Sequence, residues 1–362
     1  MTRALFTAQA GFESARQLPR LPAGHRAARL HGHGFRVQLR AALPEGWATF
    51  SGGEVEQLRG ALEAAVAPLD HQLLNEQVAE PGDEQLARWI AARLGLPSGF
   101  TLDLQSTDTC GVALDAAGRA LVWRRYRFQS AHRLPNVPLG HKCGRMHGHG
   151  FEAVVHARIG EDEATHVAAD RLDAHWAPLH MALNYACLNE LPGLDNPTSE
   201  MLSRWLWQRL AGELEGLASI KVYETASCGA QYDGAAHRIW KDFHLDSALR
   251  LKRAPAASPL AGLHGHTYTL RLHLSAPLDE LRGWALDFGD VKERFKPVFK
   301  ALDHHALHDI PDLVDGDAGS LAAWALAQAR ERLPQVQRVD VFETEGCGAI
   351  AWAGEAEPAL AV

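Results

Sequence analysis

Apolar and polar residues alternate along residues 35–43, in and around the run FRVQLRA, and this period of two predicts a β-strand with one buried face. Residues 4–18 have a similar strand-like composition. Between residues 51 and 69 the apolar positions recur every three or four residues, which is typical of a helix, here with Ser51 as its N-cap. The other elements predicted in this third of the chain are a helix from about Asp83 to Leu94, closed by Pro97, and strands at 100–105 and 111–114.

The rest of the chain repeats this strand–strand–helix–helix–strand–strand order twice. In the middle third, the second helix begins at NPTSE, where Thr198 is the predicted cap. The elements predicted in the last third are a strand at 267–274, helices at 284–301 and 318–332, and strands near 339–343 and 349–352.

Recurring motifs show the same repetition. LHGHGF begins at Leu30, MHGHGF at Met146 and LHGHTY at Leu263, so their first histidines are 116 and 117 residues apart. We therefore predict three homologous units, at residues 1–117, 118–236 and 237–362. Only a few residues join one unit to the next, which favours one continuous antiparallel sheet. Three four-stranded sheets side by side would close into a barrel with the helices outside, an α+β fold.

The middle unit contains a candidate metal site. His147 and His149 are two residues apart, so both side chains project from the same face of the strand that they begin. His132 belongs to an apolar-rich run, residues 120–134, that can pair antiparallel with that strand and bring a third imidazole alongside. Three histidines that leave one coordination position open are typical of a catalytic zinc site.

Composition excludes several classes of partner. The formal net charge is −8 and there is no basic run or tail, which argues against nucleic acid as a partner. No apolar run approaches the roughly 20 residues of a membrane span, so we expect no membrane association. Five cysteines in 362 residues fit a reducing compartment, and we expect a cytoplasmic protein.

A family resemblance is carried by three stretches of the middle unit. SAHRLPNVPLGHKCGRMHGH, NELPGLDNPTSE and KVYETASCG closely resemble 6-carboxytetrahydropterin synthase, the queuosine-pathway member of the 6-pyruvoyltetrahydropterin synthase family. The resemblance is weaker but collinear in the outer units. It implies the tunnelling fold (T-fold), in which three subunits form a barrel and two such trimers stack. This chain would be one trimer made covalent, a pseudo-trimeric antiparallel barrel, and we expect two chains to pair face to face as a homodimer.

The resemblance also implies site residues, and the three units divide them. It places zinc on His132, His147 and His149, the catalytic cysteine at Cys143 and a pterin-anchoring glutamate at Glu224, with Lys142 and Arg145 as candidates to face a triphosphate. The middle unit lacks the family's aspartate–histidine pair, because Asn184 and Tyr185 stand there. The outer units keep that pair, as Asp70 with His71 and as Asp303 with His304.

The outer units have lost other parts of the site. In the first unit Arg16, Ala27 and Ser106 replace the first histidine, the cysteine and the glutamate. In the third, Leu249 and Leu260 replace the histidine and the cysteine, while Glu343 is kept. Neither Arg nor Leu ligates zinc, so we expect the outer HGH motifs to be structural. We expect one complete site per chain, with an aspartate–histidine pair lent by either outer unit and a slight preference for Asp303 and His304.

The activity implied by the resemblance is a zinc-dependent lyase reaction. Its substrate would be 7,8-dihydroneopterin triphosphate, and its products 6-carboxy-5,6,7,8-tetrahydropterin, acetaldehyde and triphosphate. Two alternatives stay open at this point. One is a different pterin lyase, either a 6-pyruvoyltetrahydropterin synthase or a folate-type side-chain lyase. The other is a pterin- or zinc-binding protein without catalysis, which the decay of two sites favours.

Overall fold

The structure is a computed structural model that describes residues 3–160, 162–279 and 282–354. The last residues of the third predicted unit, 355–362, lie outside the described residues. In the first unit the first two strands alternate between buried and more exposed positions, as the sequence pattern predicts for one covered face, whereas the last two are buried over most of their length. Its elements are β1 (Arg3–Arg16), β2 (His31–Ala41), α1 (Glu54–Val66), α2 (Asp83–Ala91), β3 (Thr101–Thr107) and β4 (Cys110–Leu114).

The other two units follow the same order. The middle unit has β5 (Ala120–His132), β6 (His147–Arg158), α3 (Thr165–Leu183), the two-residue strand β7 (Ala186–Cys187), α4 (Ser199–Leu210), β8 (Leu217–Thr225) and β9 (Cys228–Tyr232). The third unit has β10 (His237–Leu249), β11 (His264–Leu274), α5 (Phe288–Leu302), α6 (Ala318–Arg332), β12 (Val336–Thr344) and β13 (Cys347–Trp352).

Twelve of these strands form one closed barrel. Their order is β4-β3-β2-β1-β13-β12-β11-β10-β9-β8-β6-β5, and pairing of β4 with β5 joins the two ends. All twelve pair antiparallel, while β7 adds a short parallel contact on β5. The predicted fold class is therefore confirmed, since three strand–strand–helix–helix–strand–strand units complete a barrel that leaves no long free edge.

The core lies between the barrel and the surrounding helices, in one apolar cluster for each unit. Alternate side chains of the strands face the helices, and apolar residues at helical spacing face back. Val55 of α1 belongs to the cluster of the third unit, so the first unit also packs on its covalently distant neighbour. Burial of these faces is the main stabilising contribution that the units share.

Two helix starts differ from the sequence prediction. α1 begins at Glu54 with Gly53 as its cap, because the hydroxyl of Ser51 accepts a hydrogen bond from Arg253 of the third unit. α5 begins at Phe288, since the carboxylate of Asp287 accepts the N–H groups of Gly289 and Asp290 and caps it.

The predicted cap at Thr198 is present, and its hydroxyl accepts the N–H of Met201. No helix in the described parts of the chain is both long and apolar enough to cross a bilayer.

Candidate metal centre and active site

Strand pairing brings three histidines of the middle unit together. In the β5–β6 ladder His132 lies directly opposite His147, and His149 lies opposite Ser130. Because alternate residues of a strand share a face, all three imidazoles point to the helix side of the sheet. Their ring centres are 4.5, 5.0 and 5.2 Å apart.

Backbone carbonyls fix the orientation of two of these rings. His132 Nδ1 donates to the carbonyl of Pro197 at 3.0 Å, and His147 Nδ1 donates to the carbonyl of Arg145 at 2.8 Å. A ring that donates through Nδ1 keeps the lone pair of Nε2 for a metal ion. Consistent with this, Nε2 of His132 and Nε2 of His149 are buried without a hydrogen-bond partner.

Burial, as the largest cause, lowers the pKa of both His132 and His149, which keeps these rings neutral as metal ligands must be. Together with Glu224, the three histidines place one ligand atom each within 4.8 Å of one another. No other group of His, Cys, Asp or Glu in the described parts of the chain does so. Three imidazoles on one face fit a tetrahedral zinc ion with an open position.

Glu224 lies at the edge of the histidine cluster, on β8. Its Oε2 accepts the hydroxyl of Ser199 at 2.8 Å, and its Oε1 lies 3.5 Å from Nε2 of His149. Glu200 follows Ser199 on α4 and is buried, and this burial raises the pKa of its carboxyl to about 7. Glu200 accepts the N–H of Ala285, so the third unit forms one wall of the site. Sequence reasoning missed Glu200, although the NPTSE motif contains it.

Cys143 lies in a short 3-10 turn, Lys142–Gly144, in the β5–β6 connection. Its N–H donates to Nδ1 of His141, and Nε2 of His141 lies 3.3 Å from Oδ2 of Asp287. Burial and then Glu224 raise the pKa of the half-buried Cys143 thiol, while Lys142 acts in the opposite direction. The side chains of Lys142 and Arg145 are exposed at this rim.

His141 and Asp287 were missed by sequence reasoning, although one signal was available. His25 in the first unit occupies the place of His141, 116 residues earlier, and it makes the same two contacts. Its Nδ1 accepts the N–H of Ala27, and its Nε2 lies 2.9 Å from Asp170 of the middle unit. The recurrence identifies an imidazole that ties each of these turns to the following unit.

The aspartate–histidine pairs lie elsewhere on the chain. Each pair is hydrogen-bonded internally, at 2.9 Å for Asp70 with His71 and 3.0 Å for Asp303 with His304. The histidine side chains are 75% and 77% exposed. Both histidines have positive φ angles, 54° and 58°, which hold them away from the preceding helix.

Neither pair contacts Cys143 in the described parts of the chain. Asp303 binds the backbone of Asp246 in its own unit, and Asp70 binds the backbone of Glu13 in its own unit. Asp287 and Asp303 lie at opposite ends of α5, which is about 22 Å long at 1.5 Å per residue. Since Asp287 is beside the Cys143 turn, Asp303 is far from it. Within this chain the Asp303–His304 pair therefore does not reach Cys143, and no hydrogen bond or ion pair among the described residues joins the Asp70–His71 pair to it.

A guanidinium fills the equivalent site of the first unit. Arg16 is 1% exposed, and its Nη2 lies 3.2 Å from His33 Nε2 and 3.3 Å from His166 Nε2. Its Nη1 donates to Asp83 at 2.6 Å, and Asp83 in turn accepts the hydroxyl of Ser106 at 2.6 Å. One ring of this unit's HGH motif, His33, thus lies against a cation of the protein itself.

In the third unit an apolar side chain takes that place. Leu249 is 1% exposed and lies opposite His264 in the β10–β11 ladder. Glu343 survives and accepts the N–H of Ala318 at 3.2 Å. Without a third imidazole, His264 and His266 offer only two ligands from this face.

The comparison with protein families agrees with this repetition. A family model described as 6-pyruvoyl tetrahydropterin synthase matches the chain three times, over residues 6–103, 121–235 and 238–354. The chain belongs to the 6-pyruvoyl tetrahydropterin synthase family. It is 33% identical over 121 residues to 6-carboxy-5,6,7,8-tetrahydropterin synthase of Synechocystis sp., an alignment that covers 31% of this chain and 92% of that protein.

Two further similarities lie within or beside the family. Over 84 residues the chain is 30% identical to a dihydroneopterin monophosphate aldolase of Pyrococcus furiosus, covering 22% of this chain and 70% of that protein. Among solved structures, 6-pyruvoyl tetrahydropterin synthase of Caenorhabditis elegans matches 33% of this chain and 95% of its own, at 16% identity and a TM-score of 0.30. Family members are pterin-processing lyases.

Proposed function

We propose that this protein is a zinc-dependent 6-carboxytetrahydropterin synthase. Its substrate is 7,8-dihydroneopterin triphosphate, and with the consumption of one water molecule it releases acetaldehyde and triphosphate to leave 6-carboxy-5,6,7,8-tetrahydropterin, a step of queuosine biosynthesis. The observation that carries the proposal is the three-histidine cluster beside Glu224, in the unit that also has Cys143. The similarity to the cyanobacterial 6-carboxytetrahydropterin synthase supports this choice of product.

His132, His147 and His149 hold the zinc ion, which supplies a Lewis acid for the oxygens of the substrate side chain. Cys143 is the base that removes a proton from the side-chain carbon next to those oxygens. Burial disfavours its thiolate, so Cys143 needs a positive neighbour to ionise, and Lys142 is one cation on the same turn. The hydrogen bond between His141 and the Cys143 N–H holds that turn in position.

Glu224 accepts hydrogen bonds from the N–H groups of the pterin ring. The hydroxyl of Ser199 orients its carboxylate, and the opposite wall of the pocket comes from the third unit through Glu200 and Ala285. Lys142 and Arg145 lie at the exposed rim, where the triphosphate of the substrate can meet them.

The aspartate–histidine pair comes from a second chain. Both histidines are exposed, both pairs lie near the start of the HGH strands of their own units, and the Asp303–His304 pair lies far from Cys143. A face-to-face homodimer of barrels would therefore present the Asp70–His71 or the Asp303–His304 pair to the partner's metal site. In this arrangement each pair moves protons to and from the substrate in the opposite barrel.

The direct test is turnover by the zinc-loaded protein. Incubation with 7,8-dihydroneopterin triphosphate should release acetaldehyde and a carboxypterin, identified by mass. Cys143→Ala should lower kcat by about 100-fold or more, while Cys187→Ala, a second half-buried cysteine of the same unit, should leave it unchanged. Absence of any turnover by zinc-replete protein would contradict the proposal.

A side-chain lyase with another product is the second candidate, because the chain is also similar to a dihydroneopterin monophosphate aldolase. The same incubation distinguishes the two: a 6-pyruvoyl product or a hydroxymethyl pterin would replace the carboxypterin. A protein that binds zinc and pterin but turns over none of these substrates would instead be a non-catalytic binder, the reading that the two altered outer sites favour.

A further inference from the structure

The barrel encloses a channel on the face of the sheet opposite the histidine cluster. On β6, His147 and His149 are separated from Val154 and His156 by odd numbers of residues, so the two sets project from opposite faces. The channel is a cavity of about 790 Å³, lined by residues that include Arg40, Arg125, Lys221, Trp240, Arg271 and Arg338. This volume is within the range of about 300–1,000 Å³ for small-molecule sites.

The channel wall is predominantly basic. Seven of its side chains are Lys or Arg and three are Asp or Glu, drawn from all three units. Several of these cations are neutralised by ion pairs, such as Arg338 with Asp340 and Arg271 with Asp242. Arg40 is the exception: it is 9% exposed and forms no ion pair within the described residues. Its one hydrogen bond goes from Nη2 to Gln38 at 3.2 Å.

Burial and neighbouring positive charge both act on the pKa of Arg40. Burial first, and Arg338 second, lower the pKa of Arg40 to about 10. Burial and then Arg40 itself lower the pKa of Lys221 well below its usual value. Burial also raises the pKa of the wall carboxyl of Asp103 to about 7, which reduces the negative charge of the channel near neutrality.

The buried polar atoms that lack a partner in this wall are all N–H groups. They are Nε of Arg40, Nε of Arg125, Nη1 of Arg238 and Nε1 of both Trp240 and Trp352. Nε of Arg125 has a carboxylate oxygen of Glu152 at 3.6 Å, while the other four have no acceptor within hydrogen-bond distance among the described residues. A buried donor without an acceptor costs about 1–3 kcal/mol, so four in one cavity indicate a missing acceptor. None of the unpartnered buried atoms on the described wall is an oxygen. The missing ligand must therefore supply hydrogen-bond acceptors, and the basic wall favours a negative charge on it.

The cations extend along the barrel. Arg36 and Arg40 lie four residues apart on β2, about 13 Å along the strand at 3.3 Å per residue. Arg36 is 49% exposed and pairs with Glu345 at one mouth, so the channel is accessible from solvent at that end. An anion that reaches both Arg36 and Arg40 must be elongated and carry several charges. Guanidinium groups bind phosphate oxygens with matched geometry.

We propose that the channel is a binding site for an oligophosphate chain, either free or carried by a nucleotide. The site is distinct from the histidine cluster because the sheet separates them, and it does not depend on the reaction proposed above. The phosphate oxygens accept the orphaned N–H groups of Arg40, Trp240 and Trp352, and the cations of all three units balance their charge.

The test is calorimetric titration of the purified full-length protein with inorganic triphosphate, ATP and sulfate. Triphosphate should bind, and Arg40→Gln should weaken it by at least about tenfold. Trp352→Phe keeps an aromatic side chain but loses the indole N–H, and it should weaken binding in the same direction even if Arg40→Gln fails to fold. Arg294→Gln removes an exposed cation on the outer helix α5 and should change nothing.

The outcomes separate the possible ligands and sites. Tighter binding of ATP than of triphosphate identifies a nucleotide, and equal or weaker binding identifies the phosphate chain alone. If triphosphate binding survives both channel variants, or disappears only when Lys142 and Arg145 are replaced, the anion belongs to the metal site and the channel proposal is wrong. Failure of triphosphate and ATP to bind, or sulfate binding as tightly as triphosphate, also overturns it.

Discussion

Arg16 shows how a single residue removes a metal site while both terminal nitrogens of its buried guanidinium keep partners, and only its Nε lacks one. It stands where the middle unit has His132, and its guanidinium lies against His33 while Asp83 balances its charge. The change is coupled to another. The middle unit has a hydroxyl at Ser199 and a carboxylate at Glu224, and the first unit has the carboxylate at Asp83 and the hydroxyl at Ser106. Both units therefore keep a hydroxyl–carboxylate hydrogen bond, but in the first unit the carboxylate is on the helix, next to Arg16.

Glu224→Gln tests whether this carboxylate serves the substrate or the metal ion. Because three imidazoles remain, we expect zinc to stay bound, while KM for the pterin rises at least about tenfold as a charged hydrogen bond is lost. Metal analysis and steady-state kinetics measure the two effects. Loss of zinc would identify Glu224 as a fourth ligand and the site as a closed, structural one.

Glu343→Gln tests the buried carboxyl that the third unit retains. Burial and then Asp317 raise the pKa of Glu343 to about 7, above its value of 4.5 in the unfolded chain. Folding therefore takes up a proton, and this contribution to stability is present below pH 4.5 and is lost as the pH rises through 7.

A glutamine side chain does not titrate, so the Glu343→Gln variant does not lose stability as the pH rises. The difference in unfolding temperature between the variant and wild type should therefore shift in favour of the variant between pH 4.5 and 8, and the corresponding change in unfolding free energy is at most about 3 kcal/mol. Thermal unfolding at several pH values measures this, with Glu331→Gln as an exposed control. A constant difference across the pH range would show that Glu343 titrates normally.

At the scale of elements, local patterns predicted most of the architecture. The alternation along β2 and the helical spacing of α6 (Ala318–Arg332) need only near neighbours in the chain, and both elements formed as expected. The starts of α1 and α5 did not follow the prediction, because they depend on partners in another unit. Ser51 is engaged by Arg253, and Asp287 both caps α5 and meets His141, contacts that no local pattern contains.

Substitutions of Asp287 separate its two roles. Asp287→Asn keeps an oxygen to cap α5 but places an amide against the N–H of His141, so kcat should fall severalfold with little change in the unfolding temperature. Asp287→Ala should also destabilise the protein by about 1 kcal/mol.

Asp317→Ala removes the corresponding cap of α6 and is the matched control for stability. Full turnover by Asp287→Asn would contradict a role of this contact in positioning Cys143.

For the whole molecule, the repeated motifs were sufficient to predict a closed barrel, since three units of four strands satisfy every edge. The spacing of the three histidines in the middle unit was also sufficient to predict that they share one face. It left open where the aspartate–histidine pairs lie, because that depends on how units are placed around the barrel. Because His71 and His304 are exposed, we expect their pairs to serve the metal site of a second chain rather than that of a neighbouring unit in the same chain.

Complementation tests that arrangement. A chain with Cys143→Ala and a chain with both His71→Ala and His304→Ala should each be inactive, and co-assembly should restore activity. In a random mixture of twofold dimers, half of the dimers are mixed and each has one intact site, so about a quarter of wild-type turnover is expected. Continued inactivity of the co-assembled mixture, or full activity of the double histidine variant alone, would show that no second chain lends the pair.

The most direct test of the account is the zinc content of four matched proteins. The wild type should bind about one zinc ion per chain. His149→Ala should lose it, whereas the equivalent changes His33→Ala and His266→Ala should retain it, because Arg16 and Leu249 occupy the third position of those units. Three zinc ions in the wild type, or unchanged zinc in His149→Ala, would contradict the claim that the middle unit alone holds the metal.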